Sequence, residues 1–266
     1  MTEAGKEKTA PPVVLAFAGI DPTGGAGLLG DVATITALGA HAAGVTTLLS
    51  AQDLEGVQWW RALLPQELRA QAGPLLRGLP IRAVKVGAVG TAANAAAIAE
   101  MSGQLPGAPV VFDPVMASER GDALGHAQLA IALRNKLLSR TTLVTPNVEE
   151  AYKLAGLPAT VPLEEVASAL IRTGARAVLV TGVVSGDEVL DCLWQRDDAR
   201  SMAWRTPRLP YAVHGSGCLL SSAIAAGLAH GLALVPAIER AREYSIHAWQ
   251  GAWSAGRGQR LPARKI

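Results

Sequence analysis

Along this chain short, mostly apolar runs alternate with longer amphipathic stretches, and that rhythm leaves few folds open. Val13–Ala18, Gly44–Leu49, Ala83–Val86, Val110–Asp113, Leu143–Thr145 and Ala177–Thr181 read as buried strands. Between them Gly27–Leu38, Pro65–Leu76, Thr91–Met101, Leu124–Leu138, Val148–Leu154 and Leu163–Thr173 carry helical spacing. Repeated strand–helix–strand units imply right-handed crossovers and a parallel sheet with helices on both faces. Near the end, Glu188–Trp194 and Met202–Thr206 follow one another without a helix, which predicts an antiparallel edge. Two Ala-rich helices, roughly Gly217–His230 and Pro236–Trp253, come last. The expected fold class is α/β: a three-layer sandwich with a mostly parallel central sheet.

Half of the 266 residues are hydrophobic and no Ser/Gly/Pro linker interrupts them, so one domain is expected over 13–256. A flexible segment, 1–12, precedes it, and a basic tail, 257–266, follows. Charge is nearly balanced, 24 Lys+Arg against 22 Asp+Glu. The tail cluster Arg257, Arg260, Arg264 and Lys265 has no interleaved aromatics, so it reads as a solvated terminus and no nucleic-acid partner is expected. Val13–Ala18 is too short to span a membrane and runs into Gly19-Ile20-Asp21 rather than a cleavage site. Cys192 and Cys218 make no disulfide framework. A cytoplasmic protein without a membrane partner is the expectation.

In open α/β sheets ligands bind beyond the carboxyl ends of the strands. The first strand–helix junction contains Gly25, Gly27 and Gly30, a literal G-x-G-x-x-G with Asp53 further on. Dinucleotide binding does not fit its context. Residues 19–24 separate strand from motif, Asp21-Pro22 lies inside that gap, and Gly30 falls in the helix body. The alternative is a loop whose glycines let backbone lie against a flat ligand. Asp31, one turn into the helix, either faces that pocket or is a solvated helix charge.

A second junction, His214-Gly215-Ser216-Gly217-Cys218, opens an apolar helix. Backbone amides at such a start, with the helix dipole, suit a transferring phosphoryl group. Cys218 in the first turn either has a lowered thiol pKa and accepts a hydroxyl proton, or packs as a small hydrophobe. Asn147 and Glu150 have capping-box spacing; alternatively Asn147 meets nucleotide phosphates and Glu150 orders water around Mg²⁺. Asp113 ends a central strand, where an acid is costly unless it faces a cavity or a cation.

In this order the junctions resemble the ribokinase superfamily and, more closely, bacterial hydroxymethylpyrimidine/phosphomethylpyrimidine kinases of thiamine synthesis. The resemblance runs from about Val13 to Trp253. It rests on Ala18-Gly19-Ile20-Asp21-Pro22-Thr23-Gly24-Gly25-Ala26-Gly27 with Asp31, Ala37-Leu38-Gly39-Ala40, Ala51-Gln52, and Asp113-Pro114-Val115-Met116. Thr145-Pro146-Asn147 with Glu150, and His214-Gly215-Ser216-Gly217-Cys218, complete it.

The resemblance implies a ribokinase-like fold, usually a homodimer. It implies Mg²⁺-ATP phosphorylating 4-amino-5-hydroxymethyl-2-methylpyrimidine and then its monophosphate. Gly19 and Ala26 would line the pyrimidine face, Gln52 would pair with its ring nitrogen and amino group, Asp31 would lie near its polar substituents, and Ala88 would form the pocket wall. Amides from Gly215 through Ser216 and Gly217 to Cys218 would hold the phosphoryl group, with Cys218 beside the acceptor oxygen. Asn147, Thr181, Gly182 and Arg120 would serve the nucleotide, and Asp113 and Glu150 the metal.

This chain departs from the family pattern at four places, one of them Asp53, which follows Gln52 where a neutral residue is common. Ala88 stands where a methionine is usual, Glu119 where a lysine is usual, and Thr181-Gly182-Val183 where Lys-Gly-Gly is usual. Arg120 is placed to replace one lost cation. The small Ala88 keeps a pyridoxal-type vitamin B6 kinase open, and the missing lysines keep open a non-catalytic pyrimidine- or nucleotide-binding regulator.

Overall fold

The computed structural model describes residues 10–116, 124 and 128–265. Its sheet contains β1 (Val13–Ile20), β2 (His41–Gln52), β3 (Val57–Ala62), β4 (Ile81–Val86) and β5 (Val110–Phe112). It continues with β6 (Leu143–Val144), β7 (Ala177–Ser185), β8 (Glu188–Gln195) and β9 (Asp198–Pro207). The spatial order is β3-β2-β1-β4-β5-β6-β7-β8-β9. Strands from β2 through β7 are parallel, β3 is antiparallel to β2, and β8 and β9 form the expected antiparallel edge.

β1 explains why its sequence reads as an uninterrupted apolar run. Val13, Leu15 and Phe17 enter one core while Val14, Ala16 and Ala18 enter the other, the period of two that a strand buried on both faces requires. The first core is roofed by α2 (Pro65–Gly78), α3 (Ala92–Ser102), α4 (Leu129–Lys136), α5 (Val148–Ala155) and α6 (Leu163–Thr173). The second lies under α1 (Gly27–Ala37), α7 (Ser216–Ala229) and α8 (Leu234–Gln250). This is the three-layer α/β sandwich expected. Among the described residues no helix is long and apolar enough to cross a membrane.

Two features depart from expectation. Val57–Ala62 pairs with β2 as an edge strand, which leaves Trp59 51% exposed and Trp60 half-buried. The basic tail, expected in solvent, folds back instead. Arg257 and Lys265 are exposed, but Arg264 donates to the Gly24 and Gly25 carbonyls and to the Thr34 hydroxyl. Arg260 lies over the Tyr211 ring, 4.0 Å from its centroid. Backbone carbonyls of a glycine loop, with no side chains to shield them, offer a guanidinium fork several acceptors at once.

Candidate active site

The carboxyl ends of β1, β2, β4, β5, β6 and β7 open into one cleft of about 1130 Å³. That exceeds the few hundred Å³ that hold one small ligand and is large enough for an acceptor and a nucleotide together. Gly19, Ala26, Gln52 and Ala88 line one end; Asn147, Thr181 and Gly182 line the other; Asp113, Glu150 and Gly215 to Cys218 lie on its wall. Gly19 and Cys218, 199 positions apart, therefore meet in one cavity, as the junction rule requires. Arg120 and Glu119 lie outside the described residues.

The anion turn is built by conformation before chemistry. Gly215 is the N-cap of α7 at φ 71°, and a Cβ there would collide with the Gly25 carbonyl. Its carbonyl accepts the first helical bond, from the Leu219 amide. The Gly217 and Cys218 amides precede that bond, at the end of the helix where N–H groups point outward and the dipole is positive. Gly217 is exposed and an added Cβ would meet nothing within 4 Å. Backbone can approach a ligand there without hindrance.

Asp31 corrects one expectation. It is fully buried, does not line the cleft, and holds the Lys85 ammonium through both carboxylate oxygens at 2.9 Å. Ser222 donates to it as well, at 2.7 Å. A carboxylate inside the helix layer is costly unless paired, and Lys85 reaches down from β4 to pair with it. Burial alone would lower the Lys85 pKa, but the Asp31 and Asp113 carboxylates outweigh burial and hold it above its ordinary value. Lys85, paired with Asp31, lines the cleft. It was legible in principle: Ala83-Val84-Lys85-Val86 places a lysine in a strand buried on both faces, the same anomaly that singles out Asp113.

Asp113 faces the cleft, accepts from the Ser221 hydroxyl at 3.0 Å and lies 3.9 Å from Lys85. Burial pushes its carboxyl up despite those partners. Glu150 is pushed up to about 8, first by burial and then by the Asp113 carboxylate. The capping box exists too. Asn147 Oδ1 accepts from the Glu150 amide at 2.9 Å and Glu150 accepts from the Asn147 amide at 3.0 Å. Capping and cleft lining coexist at these residues.

Cys218 corrects the other expectation. Of the two readings left open, the lowered thiol pKa is the one that fails: burial raises it, Lys85 opposes the rise, and Asp113 and Asp31 add to it. Other partners were given no role from the sequence. Asp21 sits under the Gly-rich loop, accepting from the Ala26 amide at 2.8 Å and meeting His214 Nε2 at 2.8 Å. Asp191 accepts from the Gly182 amide at 3.2 Å and pairs with Arg242 of α8, which pins the β7 turn.

Comparisons with known proteins agree with this geometry. A family model described as phosphomethylpyrimidine kinase matches residues 21–263. A hydroxymethylpyrimidine/phosphomethylpyrimidine kinase from Streptomyces coelicolor is 36% identical over 252 residues, 93% of this chain and 92% of that protein. The ADP complex of Bacillus subtilis pyridoxal kinase superposes with a TM-score of 0.85 at 26% identity, covering 96% of this chain and 98% of that one. Phosphomethylpyrimidine kinase from Clostridium difficile gives 0.77 at 27% identity, covering 90% and 99%. With Gly30 inside α1, the literal dinucleotide motif is a coincidence of spacing. The chain belongs to the phosphomethylpyrimidine kinase family, and so to the phosphotransferases.

Proposed function

We propose that this protein transfers the γ-phosphoryl group of ATP to 4-amino-5-hydroxymethyl-2-methylpyrimidine and then to its monophosphate, as thiamine biosynthesis needs. The observation that carries this is the meeting of Gln52, Ala26 and Gly19 with the α7 anion turn in one cleft. A flat acceptor against the Gly-rich loop presents its hydroxymethyl arm to the amides of Gly217 and Cys218. Those amides, the α7 dipole and Lys85 neutralise charge on the migrating group. Positioning supplies most of the rate in a loose, in-line transfer. Such a transfer asks little of a base, so a protonated Cys218 serves as a hydrogen-bonding neighbour of the acceptor oxygen rather than as a resident thiolate.

Nucleotide phosphates are assigned to Asn147 and the Thr181–Gly182 turn. Mg²⁺ fits the donor set: burial holds both carboxyls up and the Asp113 carboxylate raises Glu150 further, a strain that a divalent cation relieves, and magnesium needs few protein carboxylates. The cation would shield the transferring phosphates. Use of ATP as co-substrate supports a cytoplasmic location, and the exposed Trp59 on edge strand β3 supports a homodimer.

A pyridoxal-type acceptor is the second reading, favoured by the small Ala88 and by the superposition on pyridoxal kinase. Coupled ATP-consumption assays with the hydroxymethylpyrimidine, its phosphate and pyridoxal decide between them. Higher kcat/KM on both pyrimidines is expected; a preference for pyridoxal would reverse the assignment, and no turnover on any of the three would leave a ligand-binding protein.

A further inference from the structure

We propose that residues 259–264 are a clasp that positions the acceptor end of the cleft, with Arg264 and Gln259 as its positioning residues. The inference rests on the kinase reading for what the cleft binds, but its structural part stands alone.

The segment reaches three separate loops. Arg264 donates to the Gly24 and Gly25 carbonyls of the Gly-rich loop and, at 3.0 Å, to Thr34 of α1. Gln259 Oε1 meets His214 Nδ1 at 2.9 Å, and the other ring nitrogen meets Asp21. Tail, anion turn and Gly-rich loop are thereby linked through one imidazole. The Arg260 backbone brackets the loop before the anion turn, accepting from the His214 amide at 2.8 Å and donating to Ala212 at 3.1 Å. The Gln259 amide donates to Leu54, just past Gln52, at 3.0 Å.

Two of the three glycines of the literal dinucleotide motif, Gly25 and Gly30, face this contact, while Gly27 packs against Gly19 and Asp21. A Cβ at Gly25 would overlap the His214 ring and the Leu261 side chain, and one at Gly30 would come within 3.0 Å of the Arg264 guanidinium. At Gly25 and Gly30 the missing side chain leaves room for His214 and for the returning tail. All these contacts fall on the acceptor side: Gly-rich loop, β2 exit, and the 207–213 segment that lines the cleft. An arginine holding two loop carbonyls fixes where the loop backbone lies, and misplacing backbone by about 1 Å can cost two orders of magnitude in rate.

Arg264→Met and Gln259→Ala, with exposed Lys265→Ala as control, test the clasp by hydrogen exchange and by steady-state kinetics. Faster exchange is expected in 22–27 and 208–214, with 148–155 unchanged. For Arg264→Met the acceptor KM should rise about tenfold while the ATP KM stays within about twofold. Unchanged exchange in the two loops overturns the clasp. Acceptor and ATP KM rising together, or 148–155 loosening equally, overturns its confinement to the acceptor end and with it the proposal. If Arg264→Met does not fold, Gln259→Ala decides by the same readings. Failure of the wild type to phosphorylate any acceptor would count against the kinase reading while the exchange data still judge the clasp.

Discussion

Gly215 and Gly217 stand in one turn and need their missing side chains for different reasons. At Gly215 an alanine meets positive φ and the Gly25 carbonyl, so Gly215→Ala should lose about 1–3 kcal/mol in urea unfolding. At Gly217 there is open space, so Gly217→Asp should unfold within about 1 kcal/mol of wild type. Its carboxylate would occupy the anion position, and turnover should fall by about 100-fold or more. Near-normal activity in that variant removes the anion turn from the mechanism. Lys85→Met strands the Asp31 carboxylate in the core and should cost about 3–5 kcal/mol, read by the same unfolding assay. Burial alone would push the Asp21 carboxyl up; bonds from His214 and Thr23 overcome it and hold the group at about 2, against 3.8 ordinarily. A lowered folded pKa gives stability that is complete above pH 3.8 and vanishes as pH falls through about 2. Melting scans across that window should show the loss in wild type and a flatter profile in Asp21→Asn.

Elements differ in how openly the sequence announces them. β1, β4 and β7 are legible because burial on both faces leaves little but apolar residues. α5 is legible from Asn147 and Glu150, whose capping box is visible at a spacing of three. β3 is not: Val57-Gln58-Trp59-Trp60 lies on an edge, half in water, and shows neither a buried run nor clean alternation. Strand ends that shape the site also extend past the apolar runs, β1 to Ile20 and β2 to Gln52, because pairing continues after burial stops. Glu150 tests the element directly. If it orders Mg²⁺, Glu150→Gln should raise the Mg²⁺ needed for half-maximal activity about tenfold while the helix keeps its cap. An unchanged requirement would return Glu150 to capping alone.

At the scale of the molecule the site is assembled from both ends of the chain, and that part is illegible locally. Asp31 and Lys85 are 54 residues apart, Asp21 and His214 193, and Gly25 and Arg264 239. Only the order of the junctions along a parallel sheet carries this information, and it fixes which loops share a rim without saying which side chains turn down into the core. Asp31 illustrates the loss: correct junction, opposite direction. Trp59 belongs to the same scale. Trp59→Glu on the β3 edge should shift the protein from dimer to monomer in sedimentation velocity if that edge is where two copies meet.

The returning tail has a consequence for synthesis. His214 and the glycine loop take their final partners from residues beyond α8, so a nascent chain translated as far as Gln250 has every strand and helix yet lacks the parts that fix its acceptor end. Order at the acceptor end is therefore set by residues that follow the last helix, not by the sheet alone.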